Sequence, residues 1–306
     1  MQRNNYYSHG KVLLTGEYLV LKGAYALALP LRLGQSLLIS EGSEQGTIDW
    51  RTTICGKEWF NARFATGPFE IIDSTSRKQA EFISGILKAA RKLNKYFLPA
   101  DTAHLAEANL EFDINYGFGS SSTLITNIAS WSKTDPFDLH RAVSRGSGYD
   151  IAAAQATKPI IFKRTELDIS INPVNFKPPF SDKLFFGYLG NKKETETNVK
   201  AFLERIEITS DLIKRMNDTT LNVAAAKDIY EFIDLMAEHE AILAAVLGEA
   251  PVKERLFPEF NGIVKSLGAW GGDFALFVSA GLPEYTREYL HGKGISPVYN
   301  YNEIIL

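Results

Sequence analysis

The sequence is poor in cysteine, with a single one, Cys55, among 306 residues. No internal disulfide is then possible, and a reducing compartment such as the cytoplasm fits. Cys55 lies in a β-like run and reads as packing rather than chemistry. An excess of one charge is also lacking: 33 Lys and Arg against 36 Asp and Glu leave a net charge of −3. That balance gives no reason to expect nucleic acid or an acidic membrane as a partner. No apolar run approaches the roughly 20 residues of a membrane span. The first residues, Met1 to Tyr7, are polar and lack the apolar core of a signal peptide. Fixed-period repeats and low-complexity tracts are absent. The five histidines include Glu238-His239-Glu240, which lacks metal-ligand spacing and reads as surface.

What is present is ordinary for a globular protein, 45% hydrophobic and 23% charged. The length suits two domains sharing a cleft better than one core. Residues 8–39 read as short β-segments broken by glycines, and 46–72 as two or three strands. Ala80, Ile83, Ile86, Leu87, Ala90 and Leu93 recur at helical spacing over 76–97, with Lys88, Arg91, Lys92 and Lys95 on a solvated face. Strands are expected at 109–114, 159–162 and 184–189. The prolines at 173, 178 and 179 mark a linker, and helices are expected to about residue 215, at 217–247 and at 252–267. A last helix at 284–291 and strand at 296–301 close the chain. The class is α+β, with a boundary near residue 170.

Three glycine-marked constellations carry chemistry. The first is Gly117-Phe118-Gly119-Ser120-Ser121-Ser122-Thr123, between a β-rich segment and an apolar helix. Glycines let backbone N–H groups approach an anion, a helix start points more of them at it, and the hydroxyls add donors and magnesium ligands. No Lys completes the common phosphate-loop pattern, and a glycine turn with a serine cap explains the stretch equally well. The second is Arg145-Gly146-Ser147-Gly148-Tyr149-Asp150-Ile151-Ala152, which puts a carboxylate at a helix start. A simple helix cap is the plain alternative. The third is Ser266-Leu267-Gly268-Ala269-Trp270-Gly271-Gly272-Asp273, a glycine turn into an apolar strand, or a bulge. Lys11 and Glu17 interrupt an apolar segment, where a charge needs a partner or a task.

Taken together, these segments resemble the GHMP kinases (galactokinase, homoserine kinase, mevalonate kinase and phosphomevalonate kinase). The first is similar to their Gly-Leu-Gly-Ser-Ser-Ala loop. The stretch Gly10-Lys11 through Gly16-Glu17-Tyr18 is similar to the opening motif of mevalonate and phosphomevalonate kinases. Gly146-Ser147-Gly148-Tyr149-Asp150-Ile151-Ala152 is close to the Gly-Ser-Gly-Phe-Asp-Val-Ala of phosphomevalonate kinases. The third is similar to Gly-Ala-Gly-Gly-Gly-Asp, with Trp270 at the middle Gly. The order of the motifs matches, and they spread over most of the chain. His9 stands where the family has Pro. Leu139 stands where mevalonate kinases place a magnesium-binding Glu, eleven residues before Asp150, with Asp138 adjacent.

The resemblance implies a two-domain GHMP kinase fold. Residues 1–170 would form an ATP-binding domain like the second domain of ribosomal protein S5, and 171–306 a ferredoxin-like domain. ATP and Mg²⁺ are the implied cofactors. Residues 117–123 would hold the triphosphate, with Ser121 on the metal. Lys11 would stabilise charge at the transferred phosphate, and Asp150 would take the acceptor hydroxyl's proton. Glu17, Tyr18, Ser147, Gly148, Gly268, Ala269, Gly271, Gly272 and Asp273 would line the substrate. Lys192 or Lys193 would meet a substrate anion, or is solvated. The implied acceptor is small and anionic, phosphomevalonate or mevalonate, handled by a cytoplasmic monomer or homodimer with neither nucleic acid nor membrane as partner. Other readings are a sugar or homoserine kinase, a mevalonate diphosphate decarboxylase, or a nucleotide-binding protein without kinase activity.

Overall fold

The structure is a computed structural model in which residues 3–165, 168–190, 208–268 and 273–306 are described. The chain divides into two compact units. The first comprises residues 1–10, 33–114 and 118–155, and the second 11–32, 115–117 and 156–306. This division follows contacts and is of a different kind from a cut in sequence at residue 170.

In the first unit, β3 (Thr47–Ile54) and β4 (Lys57–Ala65) form a hairpin, and β5 (Ile71–Ser74) pairs with β4. The hairpin turns at Cys55 and Gly56, both at positive φ (49° and 76°), the backbone that a two-residue turn matched to strand twist requires. Cys55 is therefore exposed in a turn rather than packed in a strand. β6 (His104–Leu110) runs parallel to β3 and antiparallel to residues 35–41 of β2 (Ala26–Glu41). It ends at Leu110, four residues short of the expected strand. Against this sheet pack α1 (Arg77–Leu93), α2 (Ser120–Ser132), α3 (Pro136–Val143) and α4 (Tyr149–Gln155). Ala80, Ile83, Ile86, Leu87 and Ala90 of α1 share one core with Trp50, Phe60, Phe64, Ile128 and Ile151. Arg91, expected on a solvated face, donates to the Phe97 carbonyl and, at 2.8 Å, to that of Leu98, closing the chain after the helix.

In the second unit, residues 26–28 of β2 pair with β7 (Ile160–Arg164), which pairs with β8 (Ile169–Pro173). β1 (Asn4–Thr15), which begins in the first unit, is followed not by a strand but by a 3-10 turn, Leu19–Lys22. The cause is local. Gly16 has φ +86°, and a Cβ there would lie 2.2 Å from the Tyr25 carbonyl oxygen, so the chain must bend back where no side chain intervenes.

A second sheet runs β12-β9-β11-β10, all antiparallel: β9 (Leu184–Tyr188), β10 (Ile263–Leu267), β11 (Phe274–Val278) and β12 (Val298–Asn300). Helices α5 (Ser210–Ala225), α6 (Ile229–Leu247) and α7 (Val252–Leu256) lie between β9 and β10, and α8 (Pro283–Gly292) between β11 and β12. This is the βαββαβ order of a ferredoxin-like layer. The helix expected over 252–267 stops at Leu256, because Pro258 cannot continue it, and β10 takes over at Ile263.

Candidate active site

The first glycine segment opens α2. Gly119 is its N-cap at φ +87°, so the N-cap residue brings no side chain to the helix start, and no acidic residue stands in the first turn. The N–H groups of that turn are oriented to meet a solvent molecule or an anion. The hydroxyls point different ways. Ser121 is exposed and Ser120 half-buried. Phe118 is 2% exposed and lies edge-on to Phe112 at 5.6 Å, so its ring is core. Thr123, 1% exposed, turns inward within 2.7 Å of Gln35 Oε1. Ser122 donates to Asp150 Oδ2 at 2.5 Å.

Ser120 and Ser121 line one part of a cavity of about 290 Å³ lying wholly within the first unit. Its walls are mostly apolar: Ile54 and Trp59 from the β3–β4 hairpin, Phe82 and Ile83 from α1, and Leu110, Ile114 and Leu124. Gln35, Thr52, Lys78 and Gln79 add a few polar groups. An apolar slot with sparse polar points suits a flat heteroaromatic ring with hydrogen-bonding edges. Sequence reasoning gave none of these wall residues a binding role. The signal available was Gln35, a lone amide in an apolar run.

Asp150 stands in the first turn of α4, after Gly148 at φ +90°. Its Oδ1 accepts the Ile151 N–H at 3.1 Å. Ser147 is buried beside it. Leu139, at the position compared with a metal-binding Glu, is fully buried in the core, and Asp138 pairs with Arg141 on α3. Among the described residues no three His, Cys, Asp or Glu are placed to hold a metal ion.

In the second unit the Lys11 ammonium donates to the Gly117 carbonyl at 2.8 Å. Gly117 has φ +68°, and a Cβ on it would lie 2.2 Å from Asp273 Oδ2. Lys11, Gly117 and Asp273, from three separate motifs, therefore meet there. Gly268 is also near: a Cβ on it would lie 3.9 Å from the same oxygen. Tyr116 packs against Tyr188 and Phe274 at 4.8 and 5.4 Å. Ala269, Trp270, Gly271, Gly272, Lys192 and Lys193 lie outside the described residues.

Glu17 and Tyr18 have other surroundings. Tyr18, at φ +62°, packs on the apolar cluster around Met216 and Leu243. Glu17 is 3% exposed; its Oε1 takes a hydrogen bond from Lys265 at 2.5 Å, and its Oε2 lies 3.1 Å from His239 Nε2. That nitrogen also faces the Gly16 N–H at 3.0 Å, so with one lone pair or one proton it satisfies only one of the two. His239 and Glu240 are 0% and 1% exposed, not surface as expected. Burial and the nearby Lys265 push the His239 imidazole down, so it is neutral. Burial, the strongest single influence, would raise the Glu17 carboxyl, but Lys265 and His239 together outweigh it and hold the group below its ordinary value. Glu240 is pushed up to about 8, chiefly by burial. The N–H groups of Val252 and Ser266 favour its charged form slightly, yet neither oxygen is held in a well-formed hydrogen bond.

No protein-family model matches the chain, and no curated protein sequence does. Solved structures do match over nearly the whole length. The Methanococcus jannaschii mevalonate kinase has a TM-score of 0.69 at 13% identity, covering 98% of this chain and 98% of that one. Streptococcus pneumoniae phosphomevalonate kinase, in complex with phosphomevalonate and AMPPNP, gives 0.69 at 14%, covering 97% and 99%. Lactococcus lactis galactokinase with galactose gives 0.68 at 15%, covering 97% and 92%. The fold is thus the two-domain α+β fold of the GHMP kinases, as the motifs imply.

Proposed function

We propose that the chain is an ATP-dependent kinase for a small anionic acceptor. The observation that carries the reading is the cavity of about 290 Å³ reaching the start of α2 at Ser120 and Ser121. A nucleotide would set its base against Trp59 and Phe82 and its phosphates at the first-turn N–H groups. Phosphoryl transfer asks chiefly for positioning and charge neutralisation. The Lys11 ammonium, held at the Gly117 carbonyl, would neutralise charge on the transferred group, and Asp150 would take the acceptor's proton.

Magnesium fits in one respect. The exposed Ser121 hydroxyl is a suitable oxygen ligand at the helix start, and with Leu139 in the core the nucleotide phosphates would supply most of the rest. Bound there, the ion would neutralise phosphate charge. The likeness of Gly146–Ala152 to the phosphomevalonate kinase motif favours phosphomevalonate as acceptor, then mevalonate. An ATP-binding piece at 1–170, a second domain at 171–306, a cytoplasmic setting and a monomeric or homodimeric state belong to the same proposal.

The test is ATP turnover with Mg²⁺ against mevalonate, phosphomevalonate, mevalonate diphosphate, homoserine and simple sugars, with product masses read directly. A gain of one phosphate on mevalonate or phosphomevalonate is expected. Phosphorylation of a sugar alone would move the acceptor. Carbon dioxide released from the diphosphate would make the chain a decarboxylase. ATP binding without any product would favour a role without transfer.

A further inference from the structure

Two serines late in α2 serve their own helix. Ser130 Oγ donates to the Thr126 carbonyl at 3.1 Å and Ser132 Oγ to that of Ala129 at 3.2 Å, the usual habit of serine inside a helix. Ser122 behaves differently. It is 4% exposed, and its single proton crosses to α4 to meet Asp150 Oδ2. A serine hydroxyl has only one proton to give, so one spent on a carboxylate is not available to a phosphate oxygen. The loop that this stretch resembles carries Ala here, so phosphate binding does not call for a hydroxyl at this position.

We propose that Ser122 is a positioning residue for Asp150, not a phosphate ligand. This rests on the reading of Asp150 as the base. The bond to Oδ2, with the Ile151 N–H on Oδ1, fixes the rotation of the carboxylate, and the second lone pair of Oδ1 is left to meet the acceptor. In the transfer step the acceptor oxygen bonds to the γ-phosphorus as the bond from that phosphorus to the β–γ bridging oxygen breaks. An acceptor hydroxyl, or a singly ionised acceptor phosphate, passes its proton to Oδ1, and ADP leaves with the electron pair of the broken bond. A carboxylate free to rotate loses the alignment on which such a step depends.

The test uses the full chain with Ser122→Ala, Ser122→Thr, Asp150→Asn and the Ser122→Ala/Asp150→Asn double variant, with circular dichroism and melting to establish the fold of each. Turnover is measured on the acceptor phosphorylated by the parent and, separately, as slow ATP hydrolysis with water as acceptor. Ser122→Ala is expected to lower kcat about tenfold, with the Kd for ATP unchanged and Ser122→Thr restoring most of the rate. In the Asp150→Asn background the same change is expected to add nothing, because both act through one group. A weaker Kd for ATP with kcat retained would return Ser122 to the phosphates and overturn the proposal. So would an unchanged kcat, or a full tenfold loss added on top of Asp150→Asn. Parental turnover in Asp150→Asn itself would sink the base assignment instead. Absence of any ATP turnover by the parent protein would remove both.

Discussion

Two acids in glycine-marked motifs meet opposite fates in the two units. Asp150 is half-buried, and its charge is met by a serine hydroxyl and a neighbouring N–H. Glu17 is buried, and its charge is met by a full countercharge, Lys265, itself 0% exposed. A hydroxyl orients a carboxylate and leaves it able to exchange a proton with a ligand. A buried ammonium locks it in place. The comparison teaches that a carboxylate in such a motif is assigned by its partner and its access to solvent. By that standard the proposed catalytic role suits Asp150, and Glu17 is placed to hold the second unit together.

The largest expected effect breaks the Glu17 side of the pair. Lys265→Met keeps the length of the side chain and removes its charge. It leaves a buried carboxylate uncompensated, at a cost of about 3–5 kcal/mol. Chemical unfolding followed by circular dichroism measures this, and a variant as stable as its parent would mean that charge does not hold Glu17. On the other side, Asp150→Asn should lower turnover by about 10²–10⁴-fold while shifting stability by less than about 1 kcal/mol. Lys11→Met should likewise abolish turnover. If Asp150→Asn instead unfolded the protein and spared the rate, the two acids would have to exchange roles.

Much of the fold was legible because burial follows period. The stripe Ala80, Ile83, Ile86, Leu87, Ala90 is buried as its spacing requires, while Leu93, expected with it, is exposed in the last turn. The strand at Ile263–Leu267 was misread as helix because five buried residues carry no period of their own, although Pro258 and Gly262 punctuate the stretch. Gly262 has φ +150°, and a Cβ there would strike the Val278 carbonyl at 2.1 Å. In the site, motif positions were legible but directions were not. Seven consecutive residues from Gly117 were expected on phosphate, yet Phe118, Ser122 and Thr123 turn inward, as successive residues at a helix start must when one face is core. The Glu17 partners were illegible for another reason. They lie more than 200 residues away in sequence, and charge pairing at that separation leaves no local pattern.

The smallest expected effect sharpens the comparison within the buried cluster itself. Lys265 supplies one positive charge, which suffices for one carboxylate. Glu17 takes it, and burial keeps Glu240 protonated at neutral pH, its pKa raised from 4.5 to about 8. A carboxyl raised on folding binds more protons folded than unfolded between those values, so its contribution weakens as pH rises through that range. His239 works in the opposite sense. Its folded pKa lies below 6.5, so below that pH the unfolded chain takes up the extra proton and stability is lost as pH falls. His104, also lowered by burial, adds to His239, and these slopes oppose that of Glu240 under pH 6.5 and fade above it, which leaves pH 6.5 to 8 as the window where Glu240 dominates. At about 1.4 kcal/mol per pH unit the loss there is about 2 kcal/mol. Glu240→Gln keeps the shape and cannot ionise. Its unfolding free energy should be flat from pH 6.5 to 8 where the parent's falls. Equal slopes in the two proteins would mean that Glu240 carries no proton in the folded state, and that the cluster holds two negative charges on one lysine.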